Sequence, residues 1–196
     1  MAERAAVVVG DRPDALLADA AAELCTRLGE LFGVEAAVTP DERAGYGGYT
    51  FVLGDRADAH VHRACAALPD LSDQGHLLRR LDERRLLLAG GSAAAACWAV
   101  YELLGVYGVE FLLHGDVLPS SPGAFHLPPL DRVLEPALRL RSWRQFNDLP
   151  IWPGLWSQAQ QRAFIRQIFK LKYNGVYVCL WPHHPFVDFQ IGRAHV

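Results

Sequence analysis

The residues best suited to chemistry lie late in the chain. Beyond Pro136 come Trp143, Trp152, Trp156 and Trp181, four of the five tryptophans, with Phe146, Phe164, Phe169, Tyr173, Tyr177, Phe186 and Phe189 among them. Sugar rings present apolar C–H faces, and flat aromatic rings with a polar tip suit them. Packing inside an α/β layer is the alternative use of such rings, and Phe164 and Phe169 belong to it. Trp143 and Trp181 stand out because each falls at or near the end of an expected strand. Just past Trp181 comes Pro182-His183-His184-Pro185. His183 and His184 could donate to sugar hydroxyls or to a carboxylate, or they could be exposed imidazoles in a proline-bounded turn. Asp148 and Asp188 are the nearest carboxylates. Glycosidic cleavage needs two carboxyls roughly 5–9.5 Å apart, and these two residues carry no such assignment.

Other familiar chemistries find little footing. Cys25, Cys65, Cys97 and Cys179 lack any CxxC spacing, so no metal site is expected and reduced, buried thiols in a cytoplasmic chain are. His60-Val61-His62 falls in a helical pattern, which separates the two imidazoles. Gly10-Asp11-Arg12 and Gly54-Asp55-Arg56 both follow an apolar strand. Each could cradle a phosphate at a helix start. The stronger reading of each is a strand-to-helix turn with a glycine and a capping Asp. The clustered glycines of a nucleotide fingerprint are missing, and the Asp would repel phosphate. No cofactor is expected.

The 196 residues carry 19 Lys+Arg against 22 Asp+Glu, a net charge of −3. That balance lacks the basic excess that nucleic-acid backbones require. No apolar run approaches the roughly 20 residues of a membrane span, and the N-terminus shows no secretory pattern. Seventeen Arg beside two Lys, with abundant Ala, suggest a GC-rich bacterial genome.

The elements that would hold these residues alternate between strand and helix. Ala5 to Val9 is a short buried strand. Leu17, Ala20, Ala21, Leu24, Leu28 and Leu31 form one helical stripe, capped by Asp11 or Asp14 and ended by Gly33. Ala36 to Thr39 and Tyr49 to Leu53 are strands. Leu77 to Leu81 and Leu86 to Ala89 make a hairpin around Asp82-Glu83-Arg84-Arg85. Ser92 caps a helix with Ala96, Cys97, Val100, Leu103 and Leu104 inside and Gly105 and Gly108 at its end. Val109 to Leu113 is a strand, and Pro119 to Pro129 is a crossing loop. After Pro136, Arg139 to Trp143 reads as a strand, Gln158 to Lys172 as an amphipathic helix with Phe164, Ile168 and Leu171 on one face, and Val176 to Trp181 as an apolar strand. Asn174-Gly175 is a helix-end signal. A strand–helix–strand unit of this kind suits the opening of a parallel (β/α)8 barrel, which needs about 250 residues in full.

The stretch AGGSAAAACWAVYELLGVYGVEFLLHGDVLP, from Ala89 to Pro119, resembles the α/β domain that precedes the barrel in β-hexosaminidase-like and α-glucuronidase-like glycoside hydrolases. There a strand ends in Gly-Gly, a helix follows, and a Gly-Val-x-Phe segment closes the unit. Trp98, Tyr101, Leu103-Leu104 and Gly108-Val109-Glu110-Phe111 fill that pattern. Pro136 to Ser142, PALRLRS, is similar to the Pro-Arg-Phe-x-x-Arg-Gly motif of family 20, whose second Arg grips the hydroxyls of the reacting sugar. Arg141 takes that place, and a planar guanidinium with paired donors suits vicinal hydroxyls on chemical grounds alone. Lys172-Tyr173-Asn174 matches the family's Lys-x-Asn. The His-x-His that follows it in the family is absent: Tyr177 and Cys179 occupy those positions.

The resemblance implies an α/β fold with a small mixed-sheet domain over 1–130, and over 136–190 the first strand, helix and strand of a catalytic barrel. It implies a carbohydrate substrate held by Arg141, Trp143, Trp181, His183 and His184, with the catalytic carboxyls on later strands. The last six residues, Ile191 to Val196, correspond to a common sequencing-adapter string translated in frame, so they are expected not to be gene-derived. A non-catalytic α/β module that binds a carbohydrate or a protein is the alternative from another class. A nucleotide-binding protein is a third.

Overall fold

The structure, a computed structural model, describes residues 3–40, 48–144 and 156–177. The chain forms two compact units, Met1–Arg139 and Leu140–Val196. Trp181, His183, His184, Asp148, Asp188 and the Ile191 to Val196 segment lie outside the described residues.

In the first unit, β1 (Arg4–Val8) is apolar on both faces, as a strand covered on two sides must be. It pairs in parallel with β2 (Glu35–Thr39) and β3 (Tyr49–Asp55). β5 (Arg85–Gly90) is parallel to β3, β4 (His76–Arg80) turns back antiparallel to β5, and β8 (Asp131–Leu134) adds antiparallel to β4. The sheet order is β2-β1-β3-β5-β4-β8, so the fold is mixed α/β.

Helix α1 (Ala15–Phe32) starts where the Asp14 side chain accepts the Leu16 N–H at 2.8 Å, and ends at Gly33, left-handed with φ 67°. Its buried residues are the six of the sequence stripe. α1 packs on α3 (Ala93–Val106), and α3 packs on β5. On the opposite face Val52, Leu77, Leu87 and Ala89 meet Val61 of α2 (Ala59–Ala64) and Leu71. Each fully buried aliphatic side chain here is worth about 1.5–3 kcal/mol.

Three sequence expectations change. Gly105 does not stop α3, which runs on to Val106; a Cβ there would meet nothing within 4 Å, so no close approach requires the glycine, and the left-handed residue is Gly108 at φ 89°. The Val109 to Leu113 strand shrinks to β6 (Glu110–Leu112), which pairs with β7 (Gly115–Val117) in a separate hairpin. That hairpin is tied to α1 where Arg27 meets Asp116 at 2.6 Å. Third, β8 was not anticipated. Its four residues sit among prolines and show no alternation, yet Asp131 meets Arg79 at 2.8 Å and the Glu135 carboxylate takes the Ser72 N–H and hydroxyl, at 3.0 and 2.6 Å.

In the second unit, β9 (Ser142–Arg144) leads through α4 (Gln158–Lys170) to β10 (Gly175–Tyr177), parallel to β9 with Gly175 opposite Ser142 and Tyr177 opposite Arg144. Ser157 and Gln160 form a reciprocal capping box at the start of α4. Ile168 of the expected face is buried and Phe164 is half-buried, but Leu171 is exposed. The helix ends earlier than Asn174-Gly175 suggested: Leu171 is the cap and Lys172 takes the left-handed conformation at φ 65°. Gly175 serves instead to let the strands approach, since a Cβ on it would stand 2.6 Å from the Ser142 hydroxyl.

Candidate functional site

Of the sequence-nominated residues, Arg141 and Trp143 are the described ones, and both belong to β9 or its start. Arg141 lies just before β9, at the amino end. Its backbone is bracketed by Asn174, whose Oδ1 accepts the Arg141 N–H at 2.7 Å and whose own N–H donates to the Arg141 carbonyl at 3.0 Å. The Arg141 Nε donates to the Lys172 carbonyl at 2.7 Å. The guanidinium is thus fixed against the turn where α4 enters β10. Burial pushes the Lys172 ammonium below its ordinary pKa.

Trp143 sits in mid-strand and faces α4. It meets Phe164 edge-on at 5.7 Å and Tyr173 at 5.6 Å, and Phe164 in turn meets Trp156 at 5.5 Å. Of the two uses open to Trp143, this is packing between strand and helix. Offset and edge-to-face contacts of this kind add about 0.5–1.5 kcal/mol each to the area they bury.

Side chains alternate along a strand, so a Trp143 on the helix side puts Arg144 on the other. Arg144 and its register partner Tyr177 are the last described residues of β9 and β10, and both are exposed. The guanidinium carbon of Arg144 lies 5.4 Å from the centroid of the Tyr177 ring. Sequence reading passed over this pair. The signal was present as a period of two starting from Trp143, but it says nothing until a side is assigned to Trp143.

The remaining chemistry-bearing residues are structural. Cys25, Cys65 and Cys97 are free thiols. Burial pushes the Cys25 thiol up to about 11 and the Cys97 thiol up to about 12, which removes both as nucleophiles near neutral pH. Among the described residues no group of three His, Cys, Asp or Glu could hold a metal ion. The second Gly-Asp-Arg turn spends its carboxylates on its own backbone: Asp55 Oδ1 accepts the Ala57 N–H at 2.7 Å, and Asp58 Oδ2 accepts the Asp55 N–H at 2.8 Å. The amides a phosphate would need are therefore taken. His60 is buried beside both turns. Its Nε2 donates to the Leu53 carbonyl at 2.8 Å, and its ring occupies the space a Cβ on Gly10 would need. Gly10, at φ 76°, is thus held by both its conformation and its neighbour.

No protein-family model and no curated protein matches the sequence. Solved structures do match. A family GH115 4-O-methyl-α-glucuronidase with specificity for decorated arabinogalactans is similar over 89% of this chain, with a TM-score of 0.68 at 12% identity. The N-acetyl-β-hexosaminidase of Streptomyces plicatus, in complex with thio-NAglucal, is similar over 87%, with a TM-score of 0.53 at 17% identity. A GH138 enzyme targeting pectin rhamnogalacturonan II is similar over 89%, with a TM-score of 0.55 at 15% identity. The chain folds like part of a glycoside hydrolase. It spans only 25%, 29% and 24% of the lengths of those three chains, in that order. At such identities the likeness is one of fold. Among the described residues no helix is long and apolar enough to cross a membrane.

Proposed function

We propose that this chain is part of an enzyme that cleaves a glycosidic bond. The first unit is its non-catalytic α/β domain. β9, α4 and β10 open a (β/α)8 barrel, and the catalytic carboxyl pair belongs to later strands of that barrel. The observation that carries this reading is the parallel β9–α4–β10 crossover following directly on a mixed α/β unit, in a chain whose fold resembles glycoside hydrolases along most of its length. Barrel enzymes build their sites at the carboxyl ends of their strands. Trp181, His183 and His184 follow β10 in sequence and are proposed to contact the sugar there. Arg141 is proposed to grip its hydroxyls, as the family-20 motif implies, while Trp143 supports β9 from the helix side. The free thiols favour a reducing, cytoplasmic setting.

The test is glycoside hydrolysis by the complete protein, with aryl α-glucuronides, aryl N-acetyl-β-glucosaminides and pectin-derived oligosaccharides as the panel. Cleavage of one of these is expected, and Arg141→Ala should lower kcat/KM about tenfold or more, the scale of a lost charge-assisted hydrogen bond. Unchanged kcat/KM in that variant removes Arg141 from the site. Sugar binding without any cleavage would favour the non-catalytic binding module.

A further inference from the structure

The two edges of the six-stranded sheet are built differently. At one, β8 carries Asp131 and Arg132, charges of the kind that blunt an edge against further pairing. At the other, β2 carries Ala36-Ala37-Val38 between Glu35 and Thr39. Among the described residues, β1 is the only strand that pairs with β2.

The ladder fixes which backbone groups of β2 point outward. The Glu35 N–H donates to the Glu3 carbonyl at 2.9 Å, and the Val9 N–H donates to the Thr39 carbonyl at 3.1 Å. In a parallel pair, alternate residues of a strand address the neighbour with both their N–H and their C=O. Glu35, Ala37 and Thr39 therefore serve β1, while Ala36 and Val38 turn both groups to the open edge. That set is complementary to itself. A second β2, antiparallel and related by a two-fold axis at Ala37, sets Ala36 opposite Val38 and Val38 opposite Ala36. Each of these pairs exchanges both hydrogen bonds, and Ala37 meets its own copy in the non-hydrogen-bonded position between them. Glu35 falls opposite Thr39, so no like charges meet, and its carboxylate keeps Arg4 at 3.4 Å.

The side chains agree with the backbone. Val8 pairs with Thr39 on one side and on the other with Val52, which packs against Val61 of α2. Thr39 is thus on the α2 face, and alternation puts Ala36 and Val38 on the face of α1. There Val38 is 43% exposed and Ala36 is half-buried. The flank of α1 turned away from Arg27 and its partner Asp116 presents only small residues, Ala18, Ala22 and Gly29. α1 packs over β1 and β2. With strands about 4.8 Å apart, a two-fold copy of α1 would run antiparallel to it at roughly 10 Å, a distance at which helices pack. Ala36 and Val38 of both copies would then lie beneath that helix pair.

We propose that the β2 edge is a homodimer interface, at which two copies of this chain join through β2 and α1 into one continuous sheet. The occupant is a second copy because backbone register, side-chain face and charge all match under the two-fold. The inference stands apart from the glycosidase reading and concerns the first unit alone.

The experiment is sedimentation velocity on the complete protein and its variants. The wild type is expected to be a dimer at micromolar concentration. Ala36→Pro removes only an outward N–H, and Val38→Lys puts a charge into the seam. Each should raise the dimer dissociation constant about tenfold to a hundredfold with circular dichroism unchanged. Ala37→Cys tests the register. The two copies of this exposed residue would have Cα atoms about 4.5 Å apart, within disulfide reach. Oxidation with diamide should therefore give a covalent dimer of Ala37→Cys, and of neither the wild type nor Val38→Cys. A monomeric wild type overturns the inference, as does a dimer that survives both Ala36→Pro and Val38→Lys or an Ala37→Cys variant that does not cross-link. Hydrogen exchange identifies the rival occupant: protected Ala36 and Val38 amides in a monomer would show that the protein's own chain covers the edge.

Discussion

The two units hold their helices by different means. α3 in the first unit is apolar around almost its whole girth, with Ala95 to Tyr101 and Leu103-Leu104 all buried. Its only local start signal is Ser92, whose hydroxyl accepts the Ala95 N–H at 3.3 Å and donates to the Asp73 carbonyl at 2.6 Å. α4 in the second unit is the reverse. It has a complete capping box and a strongly two-sided pattern, yet only Ile168 and Lys170 are buried. One helix is specified by what surrounds it, the other by its own sequence and by one aromatic cluster. The first unit therefore spends its apolar residues on a core. Among the described residues, the second presents Leu140, Ile165 of α4, and Val176 and Tyr177 of β10 outward.

The sharpest way to break that contrast is to empty the first core. Trp98, 2% exposed and edge-on to His76, should cost about 3–5 kcal/mol when replaced by Ala. Chemical denaturation would read this as a large fall in midpoint. A fall under about 1 kcal/mol would mean that the core repacks and that α3 is less dependent on its surroundings than argued. Trp143→Ala asks the same of the second unit, where the cluster with Phe164 and Tyr173 should be worth about 2–4 kcal/mol. Hydrogen exchange should show α4 amides losing protection while β3 and β5 keep theirs. Loss of protection in both units would show that they unfold as one.

Asp116→Ala is a smaller test. Its carboxylate is 5% exposed and meets Arg27 at 2.6 Å, so its removal leaves a largely buried guanidinium short of a partner, at about 1–3 kcal/mol. The β6–β7 hairpin should then exchange faster than α1. Smallest of all is Lys172→Gly. A left-handed non-glycine residue costs about 1–2 kcal/mol, partly offset by the extra freedom of glycine in the unfolded chain, so a gain of roughly 0.5 kcal/mol is expected in the protection of α4. A loss would mean that the half-buried Lys172 side chain contributes more than its backbone costs.

What the sequence disclosed follows the same contrast. The α1 stripe was legible residue by residue because amphipathic spacing, an Asp cap and a closing glycine all agree there. The β4–β5 hairpin was legible because Asp82 caps its own turn, its Oδ1 taking both the Arg84 and the Arg85 N–H at 2.9 Å. Gly105 misled because a glycine ends helices in general, while the tertiary packing of α3 carries the helix past it. Asn174-Gly175 misled because both residues serve the β9–β10 pairing rather than the helix end. β8 was invisible because a four-residue edge strand needs only a neighbour to pair with. At the candidate site, a motif resemblance pointed to Arg141, and an aromatic ring near an expected strand end pointed to Trp143. Which arginine stands at which end of a strand, and which aromatic faces the helix, depends on register, and register is a tertiary fact.

The most direct measurement is a crystal structure of the complete protein with a bound monosaccharide product. The expected result is a (β/α)8 barrel opened by β9, α4 and β10, with the sugar at the carboxyl ends of its strands. A sugar seated on the first unit, or a second unit that closes no barrel, would contradict it.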